Sequence, residues 1–254
     1  MFAIYDHLIH LTTDSVPRDV TAEQLDHLTS TAQTFRCPLR KTVYGTLLND
    51  RNALEALGDA VNVPPYKAPP KAPILYVKPA NTLVGHGSHV EIPDDTGVEI
   101  GGSLGIVIGR TASRVAPDHA FDYIAGYTVI ADLSIPHASV YRPSVRFRAR
   151  DGFCVVGPAV VAKRHVTDPD NLSISVSGDG ISGSETSTST SIRSVARLIA
   201  DVTDFMTLAP GDVLTLGVPF GSPVSRDGGD INVTIGSLPT LSFSLKRTAK
   251  KGEV

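Results

Sequence analysis

The chain has 254 residues, 41% of them hydrophobic and 19% charged, with a formal net charge of −3 and an isoelectric point near 6.2. At that length folding hides roughly 70–75% of the surface, so a core forms without disulfide or metal staples. The charge balance argues against a phosphate-backbone partner, and the absence of any apolar run of about 18 residues argues against a membrane span.

The opening MFAIYDHLIHLTTD has neither a basic start nor a long apolar run, so no secretory leader is expected. Cys37 and Cys154 make no metal-type pair and no disulfide framework, which leaves a reducing cytoplasm as the expected compartment. Residues 1–43 stand apart as an N-terminal helical extension. Thr21 is placed to cap a helix beginning Thr21-Ala22-Glu23-Gln24, its side-chain oxygen satisfying free amides, and Leu25, Leu28 and Ala32 line one face. Residues 44–254 form the second unit. Val43 to Leu48 reads as a short strand and Asn49 to Ala60 as a turn and helix. The run PPYKAPPKAP, residues 64–73, is an ordered rigid loop, since proline fixes extended backbone and removes amide donors.

Strands then recur at Ile74–Val77, Gly97–Ile108, Gly126–Ala131, Cys154–Val161 and Leu172–Val176. Residues 116–124 give a helix with Pro117 in its first turn. The Ser/Thr/Gly-rich stretch 178–191 reads as a mobile hairpin tip. Ile192, Val195, Ala196, Ile199, Val202 and Phe205 fall at helical spacing. Residues 208–212 make a turn, and residues 213–218 the strand after it. Ile231 to Ile235 and Leu241 to Leu245 alternate with period two, as an antiparallel pair with one wet face does. Residues 246–254 look frayed. There is no internal repeat and no GxGxxG before a helix, which excludes a solenoid and a dinucleotide fold.

Several pieces arrive in a fixed order. They are Val77-Lys78-Pro79-Ala80-Asn81-Thr82, the strand Leu104 to Gly109, Gly126-Tyr127-Thr128 with Asp132, Arg150-Asp151-Gly152-Phe153, Phe205-Met206-Thr207-Leu208 with Pro210-Gly211-Asp212, and Gly217 with Pro219. Together they resemble the fumarylacetoacetate hydrolase family over about residues 43–245. The resemblance implies an α+β, β-rich fold, a mixed β-sheet roll of that family's C-terminal-domain type with a few peripheral helices. It also implies a divalent-metal site. There the strand opens Glu-x-Glu-Leu and a later Asp supplies the third ligand, so that the metal stabilises an enolate formed from a 2-oxo acid.

In this chain the two Glu positions are Gly101 and Ser103, and Asp132 holds the retained position. Residues two apart on a strand share a face, so Glu99 points the same way, but about 7 Å before the ligand register. Mg²⁺ or Mn²⁺ prefers several oxygen ligands, and Asp132 and Glu99 are the only candidate carboxylates at the site. The family's catalytic His position is Ala53, which carries no proton, and Glu55 is one residue out of register, so no catalytic residue is assigned. The Gly-Thr-Pro substrate turn reads Gly217-Val218-Pro219. The family Lys is Arg148, whose planar fork meets a carboxylate differently from an ammonium. Lys78, Arg148, Asp151 and Pro219 are the candidate substrate-binding residues.

Each candidate has a plainer alternative. Lys78 meets a substrate carboxylate or is a solvated loop lysine. Asp132 is a ligand remnant or a hydrogen-bonded turn residue. His86 and His89 flank a glycine-rich turn and form a metal pair or simply a turn. Arg142, Arg146, Arg148 and Arg150 alternate between Tyr141 and Asp151, as a cationic strand face or a solvated edge strand would. His137 and Tyr141 are placed near the pocket mouth.

Within the family, the strings YKAPPKAPILYVKPANT and YRPSVRFRARDGFC are most similar to the decarboxylase/isomerase branch of homoprotocatechuate (4-hydroxyphenylacetate) breakdown. That branch has two related halves, one of which has small residues at the carboxylate positions. The resemblance implies a degenerate half whose partner is a catalytic sibling of the same fold or a second copy of itself. It implies an oxo-dicarboxylate substrate and Mg²⁺ or Mn²⁺ in the functional complex, and leaves open whether this chain holds the ion. A free-standing enzyme of the family using Glu99, Asp132 and Lys78 on a small 2-oxo acid, and a metal-free binding module, are the alternatives. No nucleic-acid or membrane partner is expected.

Overall fold

The computed structural model describes residues 10–13, 16–19, 37, 39, 41–93, 96–137 and 144–247. Strands β1 (His10–Thr13) and β2 (Val16–Asp19) pair as an antiparallel hairpin, in a segment the sequence reading took as helical. The helix expected from Thr21 through Ala32 lies outside the described residues, as do Tyr141, Arg142 and residues 248–254.

Two sheets share the core. The larger runs β4 (Ile74–Lys78), β3 (Val43–Leu47), β13 (Val213–Thr215), β7 (Val98–Ile108), β8 (Ile124–Ser134), β9 (Cys154–Val156) and β5 (Leu83–Gly85). Two short strands extend it, β10 (Val161–Ala162) on β8 and β14 (Val224–Ser225) on β7. The smaller sheet runs β12 (Ser184–Ser187), β11 (Ser173–Gly178), β15 (Gly229–Ile235), β16 (Leu241–Arg247) and β6 (His89–Ile92). Parallel pairs (β13 with β3, β5 with β9, β16 with β6) sit among antiparallel ones, which is the mixed, β-rich roll expected.

The β7–β8 pair organises both faces. Ile100, Leu104, Ile106 and Ile108, with Val129, Ala131 and Leu133, join Ile174, Val176, Ile231 and Val233 of the smaller sheet in one core. Val107 and Ile130 join Val43, Cys154, Val156 and Val213 in the other. Side chains alternate between faces along a strand, and the register sets Gly101 opposite Asp132 and Ser103 opposite Ile130. Gly101, Ser103 and Asp132 therefore share the face turned away from the smaller sheet.

The larger sheet is strongly rolled. β4 and β8 are four strands apart, about 19 Å if the sheet were flat. Nevertheless side chains of β4 touch Asp132 on β8. The roll closes the larger sheet around the Asp132 side chain.

Helix α3 (Val195–Phe205) covers the other flank. The Ser194 side chain caps it by accepting from Arg197 N, and the Asp170 carboxylate accepts from Val195 N at 2.7 Å. Val195, Leu198, Ile199 and Val202 are buried, each worth about 1.5–3 kcal/mol of transfer free energy. The helix starts later than expected, Ile192 and Phe205 are exposed, and Leu198 takes their place in the core.

Other expectations change for local reasons. The stretch 178–191 is built structure rather than a mobile tip. It holds β12 and a 3₁₀ turn, Thr188–Thr190, with Thr188 buried. The segment 154–161 splits into β9 and β10 around Gly157-Pro158, where proline supplies no ladder donor. Arg146, Arg148 and Arg150 do not line a strand face. Val145–Arg148 is a single helical turn, α2, because the Ser144 carbonyl accepts from both Phe147 N and Arg148 N. Residues 117–123 form a 3₁₀ helix, and β16 stays paired through Arg247. Among the described residues no helix is long and apolar enough to cross a membrane.

Candidate functional site

Asp132 lies near the end of β8, its side chain 1% exposed. Lys78, the last residue of β4, is equally buried, with Nζ 2.6 Å from Asp132 Oδ1. The ammonium also donates to the carbonyls of Leu133 (2.9 Å), Arg148 (3.0 Å) and Phe153 (2.8 Å). Tyr76, two residues earlier on the same strand, donates its phenol to Asp132 Oδ2. Arg148, at the end of α2, places Nη1 3.5 Å from Oδ1 and 3.3 Å from Tyr76 Oη, and its guanidinium stacks 4.8 Å from the Tyr76 ring centroid. A buried carboxylate is tolerable only when paired and hydrogen-bonded, and both oxygens of Asp132 are so engaged.

The Tyr76 ring reaches this point because Gly45, opposite it on β3, has no side chain. A Cβ at Gly45 would overlap the ring carbon Cζ. Burial, then the Asp132 charge, hold the phenol pKa well above its ordinary value. Tyr76 therefore keeps its proton and donates it.

The two missing carboxylate positions are filled rather than empty. A Cβ on Gly101 would lie 2.5 and 2.7 Å from the two methyls of Val218. Ser103 Oγ donates to the Gly217 carbonyl at 2.7 Å and accepts from Gly217 N at 3.2 Å, so its hydroxyl is spent on the 217–219 turn. Glu99 sits one pair further out, opposite Ser134. Burial raises its carboxyl pKa, while Arg148 and His137 pull it back. His137 faces the Ile135 carbonyl through Nδ1 at 2.8 Å, which places the proton on Nδ1, and it stacks on Phe147 with centroids 4.8 Å apart.

These residues do not fit a divalent cation. Mg²⁺ or Mn²⁺ needs several free oxygen lone pairs converging on one point. Asp132 has both oxygens bonded to donors, Gly101 offers none, Ser103 is committed, and Glu99 stands outside the register. Among the described residues no group of three His, Cys, Asp or Glu side chains is placed to hold a metal ion.

Of the substrate-binding candidates, Lys78 and Arg148 converge on Asp132, whereas Asp151 and Pro219 do not. Lys78 is neither solvated nor free to meet a substrate. Asp151 accepts from Asn81 Nδ2 at 2.6 Å on the exposed side of its turn. Pro219 lies beside Asp50, whose carboxylate accepts from Phe220 N at 3.2 Å and from Thr190 Oγ1, and caps α1 (Arg51–Ala56) through Ala53 N at 2.8 Å. Ala53 thus sits in the first turn of α1, and Glu55 is exposed to solvent. His86 and His89 are not a metal pair. His86 Nδ1 accepts from Ser242 N at 3.1 Å, and His89 Nδ1 meets Ser244 Oγ. Burial lowers the His86 pKa to about 4. Sequence reasoning missed Tyr76, Asp50 and the filling role of Val218. The one available signal for Tyr76 was Gly45, since glycine inside a strand marks a close approach.

Comparison with known proteins agrees with this architecture. Residues 42–246 match the family model described as fumarylacetoacetate (FAA) hydrolase C-terminal. The chain is 36% identical over 203 residues to a 4-hydroxyphenylacetate degradation bifunctional isomerase/decarboxylase of Salmonella dublin, covering 80% of this chain and 46% of that protein. It is 34% identical over 203 residues to a homoprotocatechuate catabolism bifunctional isomerase/decarboxylase of Escherichia coli, covering 80% of this chain and 47% of that protein. The chain thus spans about half the length of these relatives. Among solved structures, a 2-hydroxyhepta-2,4-diene-1,7-dioate isomerase from Mycobacterium marinum superposes with a TM-score of 0.69 at 27% identity, over 85% of this chain and 79% of that one. A fumarylpyruvate hydrolase from Pseudomonas aeruginosa, solved with Mn²⁺ and pyruvate, shares the fold with a TM-score of 0.71 at 22% identity, over 98% of this chain and 99% of that one. With the motif order, the rolled sheet and a family model spanning most of its length in agreement, this chain belongs to the fumarylacetoacetate hydrolase family.

Proposed function

We propose that this chain is a subunit of the bifunctional 5-carboxymethyl-2-oxo-hex-3-ene-1,6-dioate decarboxylase / 2-hydroxyhepta-2,4-diene-1,7-dioate isomerase of 4-hydroxyphenylacetate catabolism. It is the half without metal ligands and without a catalytic His. Residues 44–254 are its family domain, and residues 1–43 an N-terminal extension. The carrying observation is the site itself. Asp132, the retained ligand position, is closed off by Tyr76, Lys78 and Arg148, and Val218 fills the space beside Gly101. Similarity to the bifunctional enzymes over about half of their length supports the same reading.

On this reading, catalysis belongs to a sibling of the same fold with an intact Glu-x-Glu strand. The sibling holds the Mg²⁺ or Mn²⁺ that stabilises the enolate of the oxo-dicarboxylate. This chain supplies a rigid, charge-compensated scaffold for it. Co-expression with a family member encoded beside it and carrying Glu-x-Glu tests the proposal. The expected result is co-purification, with decarboxylase and isomerase turnover in the complex and none in this chain alone. Full turnover by the sibling without this chain, together with no complex, would refute it.

A further inference from the structure

We draw no further inference here: the strongest candidate, the open groove between the edge strands β4 and β5 of the larger sheet, lined by Leu39, Val77, Pro79 and Leu83 together with Cys37 and Lys41, is a largely apolar seam of the roll, and nothing in the structure shows what covers it.

Discussion

Gly101→Ala is the smallest change that asks whether the lost ligand space is really filled. The added methyl would stand 2.5 and 2.7 Å from the two Val218 methyls and 3.0 Å from the Asp132 carbonyl. Comfortable carbon contacts are about 3.5–4.0 Å, so Val218 must retreat by about 1 Å. Overpacking of that kind costs about 1–3 kcal/mol, or roughly 4–8 °C in Tm at the middle of that range for a chain of this size. Val218→Ala removes both obstructing methyls, so Gly101→Ala should be nearly silent in that background. The double-mutant coupling should be about 1–2 kcal/mol, above the roughly 0.5 kcal/mol scatter of independent sites. Urea unfolding of the four proteins, followed by circular dichroism, gives all the terms. A Gly101→Ala cost below about 0.5 kcal/mol with Val218 present, or the same cost with Val218 absent, would refute the claim that Val218 occupies the ligand space.

Two further outcomes follow from the same geometry. Asp50→Ala removes the cap of α1 and the acceptor shared by Phe220 N and Thr190 Oγ1, and should cost about 2–3 kcal/mol, with amides near Ala53 and Phe220 losing protection in hydrogen exchange. His86, buried and held to a pKa of about 4, gives a signed pH effect. Between the ordinary value of about 6.5 and about 4, the unfolded chain binds a proton that the folded chain refuses, so stability falls as pH drops through that window and levels off below it. The full loss is about 3 kcal/mol, roughly 2 of it by pH 5. Comparing urea midpoints of wild type and His86→Gln at pH 7.5 and pH 5 isolates it, and equal pH slopes would contradict the assignment.

The fold was legible where local pattern and burial agree. The apolar stretch from Leu104 to Ile108 marked the strand β7, and the alternation of Ile231 to Ile235 and Leu241 to Leu245 marked the antiparallel pair observed. Leu83–Gly85 and His89–Ile92 were missed because they are short and pair in parallel with distant strands, which leaves no local signature. The even spacing of Arg146, Arg148 and Arg150 imitated a strand, but the Ser144 carbonyl turns the chain into a helical turn. At the site, the absence of carboxylates at Gly101 and Ser103 was plain in the sequence. What replaced them was not. Val218 came forward only as a lost hydroxyl, and Tyr76 drew no attention, because its contact with Asp132 depends on a rolled sheet and on Gly45 standing opposite. Lys78 in a proline-flanked segment suggested solvent or substrate. Only the three-dimensional convergence of three carbonyls makes it a buried cation.

The central claim is that this chain has closed its metal site and works through a relative that keeps one. Manganese stoichiometry tests it most directly, by electron paramagnetic resonance on the purified chain, on the co-expressed complex, and on the complex carrying Asp132→Asn. The account predicts no specifically bound Mn²⁺ in the chain alone, and full Mn²⁺ occupancy and turnover in the complex whether or not Asp132 is changed. Stoichiometric Mn²⁺ on the lone chain that disappears with Asp132→Asn, accompanied by turnover of an oxo-dicarboxylate, would contradict it.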